Sequence, residues 1–234
     1  IKLYFMLKQI GRNPVVAKAL MDVGLAGAVC VDYREALTMI ENHIPVGNVG
    51  HLVQVPNAAV ETIVAAHPEI MTVYTLDKVR QIGAAAQKLG FVQPIMLRVL
   101  GPDDMLYSGQ YGGFWLNELE RTVTEIEKVP GVRIAGVCSF PCFLYDEAQD
   151  EICAKPNLQT VQKAAEYLRS KGYTDLQLNM PSASCVHSIP LAAAAGATHM
   201  EPGHGLTGTT PYHAVHADAV ERPAYLYVTE VSHT

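Results

Sequence analysis

Charged side chains are scarce in this sequence, 17% of 234 residues against about 25% in an average soluble domain. Seventeen Lys and Arg against 23 Asp and Glu leave a net charge of -6, and no basic stripe is present that could track a phosphate backbone, which argues against a nucleic-acid partner. Long apolar runs are also missing. Leu191 to Ala195 is among the longest, far short of the roughly 18 residues that span a bilayer. No basic segment precedes an apolar one as in a secretory leader, so a cytoplasmic protein is expected. C-x-x-C pairs are absent as well. The cysteines, Cys30, Cys138, Cys142, Cys153 and Cys185, are odd in number and lie mostly in apolar runs, which suits reduced, packed thiols.

What is present is apolar material, 49% of the chain, enough for a sizeable core in one large domain or two small ones. Its period changes regularly along the chain. Strand-like runs occupy 2–7, 28–32, 49–55, 71–75, 95–100, 132–139, 175–180 and 198–202. Between them, apolar residues recur three or four apart, as in Leu76, Val79, Ile82, Ala86 and Leu89, which marks helices packed by one face. Asn13-Pro14 and Asn57 read as helix starts, and Gly24, Gly90 and Gly172 as stops, by capping chemistry. This alternation predicts a (β/α)8 TIM barrel over residues 1–222, although an open doubly wound sheet would give a similar string. The chain starts at Ile1 inside an apolar alternation, and the run Pro223 to Val228 reads as a strand beginning near its other end. Both ends look cut, so residues 223–234 are expected to open a missing C-terminal β-domain.

A barrel places its reactive groups at the C-terminal ends of its strands and often binds phosphate after strands seven and eight. The first strand ends in Lys8, which shares a face with Tyr4 and Met6 if the strand alternates to its end. An ammonium at the mouth of an apolar barrel is poorly solvated, so its pKa falls and a nucleophilic amine becomes accessible. A strand-end lysine leaning into solvent is the plain alternative. After the seventh strand comes Pro181-Ser182-Ala183-Ser184, with hydroxyls and amides at an expected helix start, and after the eighth comes Glu201-Pro202-Gly203-His204-Gly205, with Glu201 facing inward. Such loops can cradle an anion. Arg98 occupies an inward strand position, where it would orient polar groups or form an ion pair. His213-x-x-His216 with Asp218 has a spacing that could ligate metal, but no further ligands follow a recognisable pattern, and no metal site is assigned. Residues 101–113 read as a mobile loop over the barrel mouth.

Lys8 closing Tyr4-Phe5-Met6-Leu7-Lys8, the following Asn13-Pro14, Arg98 in Met96-Leu97-Arg98-Val99 and the Glu201-Pro202-Gly203 turn together resemble the fold-type III pyridoxal-phosphate enzymes. That group includes alanine racemase-like proteins and the ornithine and diaminopimelate decarboxylases. The resemblance covers nearly the whole chain and is nearest to bacterial proteins with an alanine racemase N-terminal domain. It implies pyridoxal 5'-phosphate as cofactor, held as an aldimine on Lys8, which would then serve as an acid/base at the substrate α-carbon. It also implies that Glu201 pairs with the pyridine nitrogen and that Ser182, Ala183, Ser184, Gly203 and His204 hold the phosphate, with Arg98 near the cofactor.

Two departures from the family pattern stand out. Where many relatives end the sixth strand with a ring-stacking histidine, this chain has Gly136-Val137-Cys138-Ser139-Phe140-Pro141, so Phe140 would stack instead. The Gly-rich phosphate loop of the decarboxylases is replaced by Ser182-Ala183-Ser184. The implied activity is amino-acid racemisation, with decarboxylation next because a carboxylate at the ring nitrogen makes a stronger electron sink. Two other classes remain: a non-catalytic pyridoxal-phosphate-binding protein, and a cofactor-free Schiff-base aldolase using Lys8. A homodimer is expected, with the second acid/base delivered from beyond Thr234 and weak turnover without it.

Overall fold

The computed structural model describes residues 1–225 and 228–233. Eight strands, β1 (Lys2–Leu3), β2 (Ala28–Cys30), β3 (Val46–Val49), β4 (Ile70–Val73), β5 (Gln93–Leu100), β6 (Val132–Cys138), β7 (Gln177–Asn179) and β8 (His199–Met200), pair in the order β1-β8-β7-β6-β5-β4-β3-β2. Every pairing is parallel. Phe5, just past β1, bridges Ala28 in parallel, and Phe5 N–H donates to Gly27 O while Val29 N–H donates to Phe5 O. The sheet therefore closes on itself, and the barrel rather than the open sheet is the fold.

Seven crossover helices cover the outside: α1 (Pro14–Asp22), α2 (Tyr33–Glu41), α3 (Val60–Ala65), α4 (Leu76–Leu89), α5 (Leu119–Glu127), α6 (Pro156–Ser170) and α7 (Ser188–Ala194). Two short ones, α8 (His204–Thr207) and α9 (Pro211–Val215), follow β8. Local chemistry sets their ends. Asn13 Oδ1 accepts from Val15 N–H at 2.9 Å, Asp32 Oδ1 from Glu35 N–H at 2.8 Å and Thr75 Oγ1 from Lys78 N–H at 3.2 Å, each satisfying an amide that the first helical turn leaves without a partner. Gly90 closes α4 in the left-handed conformation, φ 77°, as expected. Asn57 differs from expectation. It starts a 3-10 turn, Asn57–Ala59, ahead of α3, and its side chain accepts from Lys78 Nζ instead of capping.

Side chains of alternate parity divide the interior. Phe5, Leu7, Met71, Val73, Ile95, Leu97 and Val99 pack outward against the helices in one large core, while Tyr4, Met6, Val29 and Val31 form a separate cluster inside the barrel. The lumen is more polar than the Val, Ile and Leu filling common to such barrels, with Asn48, Thr72, Arg98, Asn179 and Glu201 all buried. The third strand lies earlier than its apolar run suggests. It covers Val46–Val49 and not 49–55, because Gly50, at φ 91°, turns the chain and sets its α-carbon against Thr72 O of the next strand. Among the described residues no helix is long and apolar enough to cross a membrane. The Pro223 to Val228 run includes Leu226 and Tyr227, which lie outside the described residues, as does Thr234.

Candidate active site

β1 and β8 are neighbours in the barrel. Tyr4 N–H donates to Met200 O and Met6 N–H to Pro202 O, at 3.0 and 2.9 Å, so the pairing continues past both strands and delivers Lys8 and Glu201 side by side to the mouth. Lys8 opens a 3-10 turn, Lys8–Ile10, rather than ending an unbroken strand. Its side chain still reaches the cavity. Burial lowers its pKa, opposed by the nearby carboxylates of Glu201 and Glu35.

The cavity holds about 470 Å³, a size suited to a small ligand. It is lined by Lys8, Phe140, Ser182, Ala183, Ser184, Glu201, Gly203 and His204. All but one of the residues that the resemblance assigns to the cofactor thus meet there, and the exception is Arg98. Its guanidinium is fully buried behind Phe140, 3.9 Å above that ring and 5.0 Å from the Tyr74 ring. Its Nη2 donates to Gln110 O at 2.8 Å. It supports the cavity wall and is not part of the lining.

Glu201 is a strongly perturbed group of the site. Asn179 Nδ2 donates to its Oε1, while its Oε2 is buried and has no hydrogen-bond partner. Burial raises the carboxyl to about 7, against the opposing pull of the Asn179 hydrogen bond and the Lys8 charge. His51 Nε2 stands 3.6 Å from that free oxygen. Burial, then the charges of Arg98 and Lys8, push His51 down to about 3, so its imidazole is neutral.

Around Ser182 the backbone takes positive φ twice in succession, 90° at Ser182 and 46° at Ala183, a shape that turns amides toward a concavity able to receive an anion. Ser184 Oγ is buried without a partner. The next helix, α7, begins only at Ser188, so this loop and not a helix start lines the cavity. The loop after β8 closes on it tightly. A Cβ at Gly205 would lie 2.0 Å from Ser184 O, so only glycine allows the approach. Both loops line the cavity.

His51 and Asn179 complete the setting and were not anticipated, while Tyr107 and Gln110 come from the loop expected over the barrel mouth. Asn179 had a visible signal, since Gln177-Leu178-Asn179 alternates polar and apolar residues within a core strand. His51 was hidden by placing the third strand too late. The 101–113 loop is anchored where the sequence suggested a mobile one. Asp104 accepts from Gly101 N–H, Ser139 Oγ and Thr160 Oγ1, and Asn157 bonds both the N–H and the carbonyl of Met105. Cys138 and Cys142 are buried and do not line the cavity. His213 bonds Thr210 and Glu221, and His216 bonds Asp150, so the two histidines engage different partners.

A model of the alanine racemase N-terminal domain matches residues 2–211. The chain belongs to the alanine racemase N-terminal domain family. It is 46% identical over 233 residues to the uncharacterized protein YhfX of Escherichia coli K12, a match that takes in 100% of this chain and 60% of that protein's length. Three solved structures share the fold. Alanine racemase of Clostridium difficile has a TM-score of 0.72 at 18% identity, with 96% of this chain and 60% of the racemase covered. Diaminopimelate decarboxylase of Helicobacter pylori, complexed with L-lysine, scores 0.67 at 16% identity, covering 89% of this chain and 58% of the enzyme. PipY of Synechococcus elongatus, with PLP bound, scores 0.65 at 18% identity, covering 88% of this chain and 92% of PipY. The family places this chain among the fold-type III pyridoxal-phosphate proteins, with the barrel in common.

Proposed function

We propose that the protein is a pyridoxal-phosphate-dependent enzyme acting on an amino acid, with racemisation as its reaction. The observation that carries this reading is the cavity itself: an amine of lowered pKa, a buried carboxyl with one unpartnered oxygen and a double loop shaped for an anion all face one space. These groups fit the aldehyde, ring nitrogen and phosphate of one cofactor. Lys8 Nζ would hold the aldehyde carbon, Glu201 Oε2 the ring nitrogen, and Ser182, Ala183, Ser184, Gly203 and His204 the phosphate, with Phe140 against the ring and Arg98 stiffening Phe140 from behind.

When bound, the cofactor supplies an electron sink for the substrate α-carbon. Lys8 then has the task of moving the α-proton on its own face, for which a lowered pKa suits it. Glu201, as a carboxylate, keeps a proton on the ring nitrogen. Leu52, Phe140, Leu144, Pro181 and Pro211 give the cavity apolar walls. Decarboxylation is the second reading, favoured by the carboxyl of Glu201 at the ring-nitrogen position, because a protonated ring is the stronger sink. A homodimer is part of the proposal, supported by the low charged fraction and by Tyr111 and Trp115, exposed on the segment that leads away from the mouth.

The decisive experiment is a visible spectrum of protein purified with pyridoxal phosphate, followed by borohydride reduction and peptide mapping, for wild type and Lys8→Ala. A pyridoxyl label on Lys8 that the variant lacks is expected. An unlabelled wild type would sink the reading and leave Lys8 as a cofactor-free aldolase amine. Deuterium entering the α-carbon of an amino acid without release of carbon dioxide would then separate racemase from decarboxylase. Sedimentation that shows only monomer would remove the dimer.

A further inference from the structure

Among the described residues, Glu201 Oε2 and His51 Nε2 face one another in the cavity lining with no hydrogen bond between them. Glu201 Oε2 accepts no hydrogen bond, and His51 lies 3.6 Å away through Nε2 while its Nδ1 is buried and unpartnered. The other carboxyl oxygen is already held, since Asn179 donates to Oε1. An oxygen that accepts an amide N–H cannot conveniently carry the carboxyl proton, so that proton, when present, belongs on Oε2. His51 is fixed in place by packing. Its ring lies 4.7 Å from that of Phe140, and its backbone carbonyl accepts from the Tyr74 hydroxyl.

A neutral imidazole has one N–H and one lone pair, and the hydrogen bond made by one nitrogen normally decides which tautomer forms. Nothing among the described residues makes that decision here, because Nδ1 is unpartnered. With the proton on Nε2 the ring is a donor toward an ionised Glu201, and with the proton on Nδ1 it is an acceptor toward a protonated one. We propose that His51 is a positioning residue that follows Glu201 by changing tautomer, so that the carboxyl gains or loses its proton in place, aimed into the cavity, with Glu201 Oε2 matched by His51 Nε2 in either state. A buried donor or acceptor without its match is costly, and a fixed ring would make one of the two states so.

Other groups around the pair define what it must withstand. Lys8 stands beside Glu201 from the 3-10 turn that follows β1, and Tyr4 just past β1, Tyr74 just past β4 and Cys138 at the end of β6 sense the same carboxylate. Arg98 presses its charge on His51. With Lys8 and Arg98 both positive, an imidazolium is disfavoured, which keeps the ring to its two neutral forms. The pairing follows from the protein alone, and only its use in holding a ring nitrogen rests on the function proposed above.

The test is carried out without cofactor. Ring-nitrogen NMR of the labelled wild-type protein is followed from pH 5 to pH 9 beside the carboxyl carbon signal of Glu201. The expected result is that the Nδ1 and Nε2 signals of His51 exchange character as Glu201 titrates, with one shared midpoint. In Glu201→Gln, whose amide should donate to His51 Nε2 while its carbonyl stays with Asn179, the ring should keep its proton on Nδ1 at every pH. A ring that holds one tautomer through the wild-type titration, a Glu201 that does not titrate in this range, or a Gln variant whose tautomer still changes would each overturn the proposal. A wild type that passes this test yet takes no pyridoxyl label would refute the proposed function alone.

Discussion

Glu201 and His51 act on stability in opposite directions, and the pH windows in which they do so overlap. Glu201 rises from 4.5 to about 7 on folding, so between those values the native state holds a proton that the unfolded chain has released. Stability therefore falls as pH rises through this window, and the cost is fully present above it. His51 falls from 6.5 to about 3, so below pH 6.5 the unfolded chain gains a proton that the native state refuses, and stability falls as pH drops. From pH 4.5 to 6.5 the two offset one another. Glu201→Gln should raise stability above pH 7 by up to about 3 kcal/mol. It should also uncover the acid-side loss due to His51. Urea unfolding at pH 5 and pH 8 measures both, and parallel behaviour of variant and wild type at the two values would contradict the account. Lys8 and Glu201 were readable as residues because each ends or follows a strand at a barrel mouth. The lowered pKa of Lys8 was readable in direction, while the raised carboxyl of Glu201 had no sign in the sequence, since it depends on what else is buried with it.

At the level of elements, the loops after the strands shape the cavity and the strands position the loops. The loop after β5 is held by Asp104, which takes three hydrogen bonds, from Gly101, Ser139 and Thr160. Asp104→Ala leaves buried partners unmatched and should cost about 2 kcal/mol or more. Hydrogen exchange should show faster opening across 101–113 with the barrel strands still protected, and unchanged protection would refute the anchoring. The loops after β7 and β8 meet at Gly205, where a methyl group would collide with Ser184 O. Gly205→Ala should spread the two loops and weaken pyridoxal-phosphate affinity at least tenfold in a direct titration, with the Lys8 label still formed at saturating cofactor. Equal affinity would show that the close approach does not shape the proposed phosphate site. These loops were legible as Ser- and Gly-rich turns, but the contact between them was not, because nothing in either segment specifies its distance from the other.

For the molecule as a whole, closure through Phe5 and Ala28 joins the first strand to the second and makes a single core between sheet and helices. One cooperative unfolding transition is expected. The thiols provide a probe, since Cys30, Cys138, Cys142 and Cys185 are buried while Cys153 is partly exposed. One thiol should react with a thiol reagent in the native protein, and the other four only as far-UV ellipticity is lost. Earlier reaction of any of the four would mean that part of the barrel opens by itself. The sequence alone determined the alternation of strand and helix, the caps at Asn13 and Gly90, and the residues Lys8 and Glu201 at the mouth, because periodicity and capping are local properties of the chain. Closure of the sheet, the withdrawal of Arg98 behind Phe140, and the meeting of His51 and Asn179 on one carboxyl were decided by tertiary structure. Each depends on strand register and on packing between residues distant in the chain, and a neighbour of that kind has no local signature.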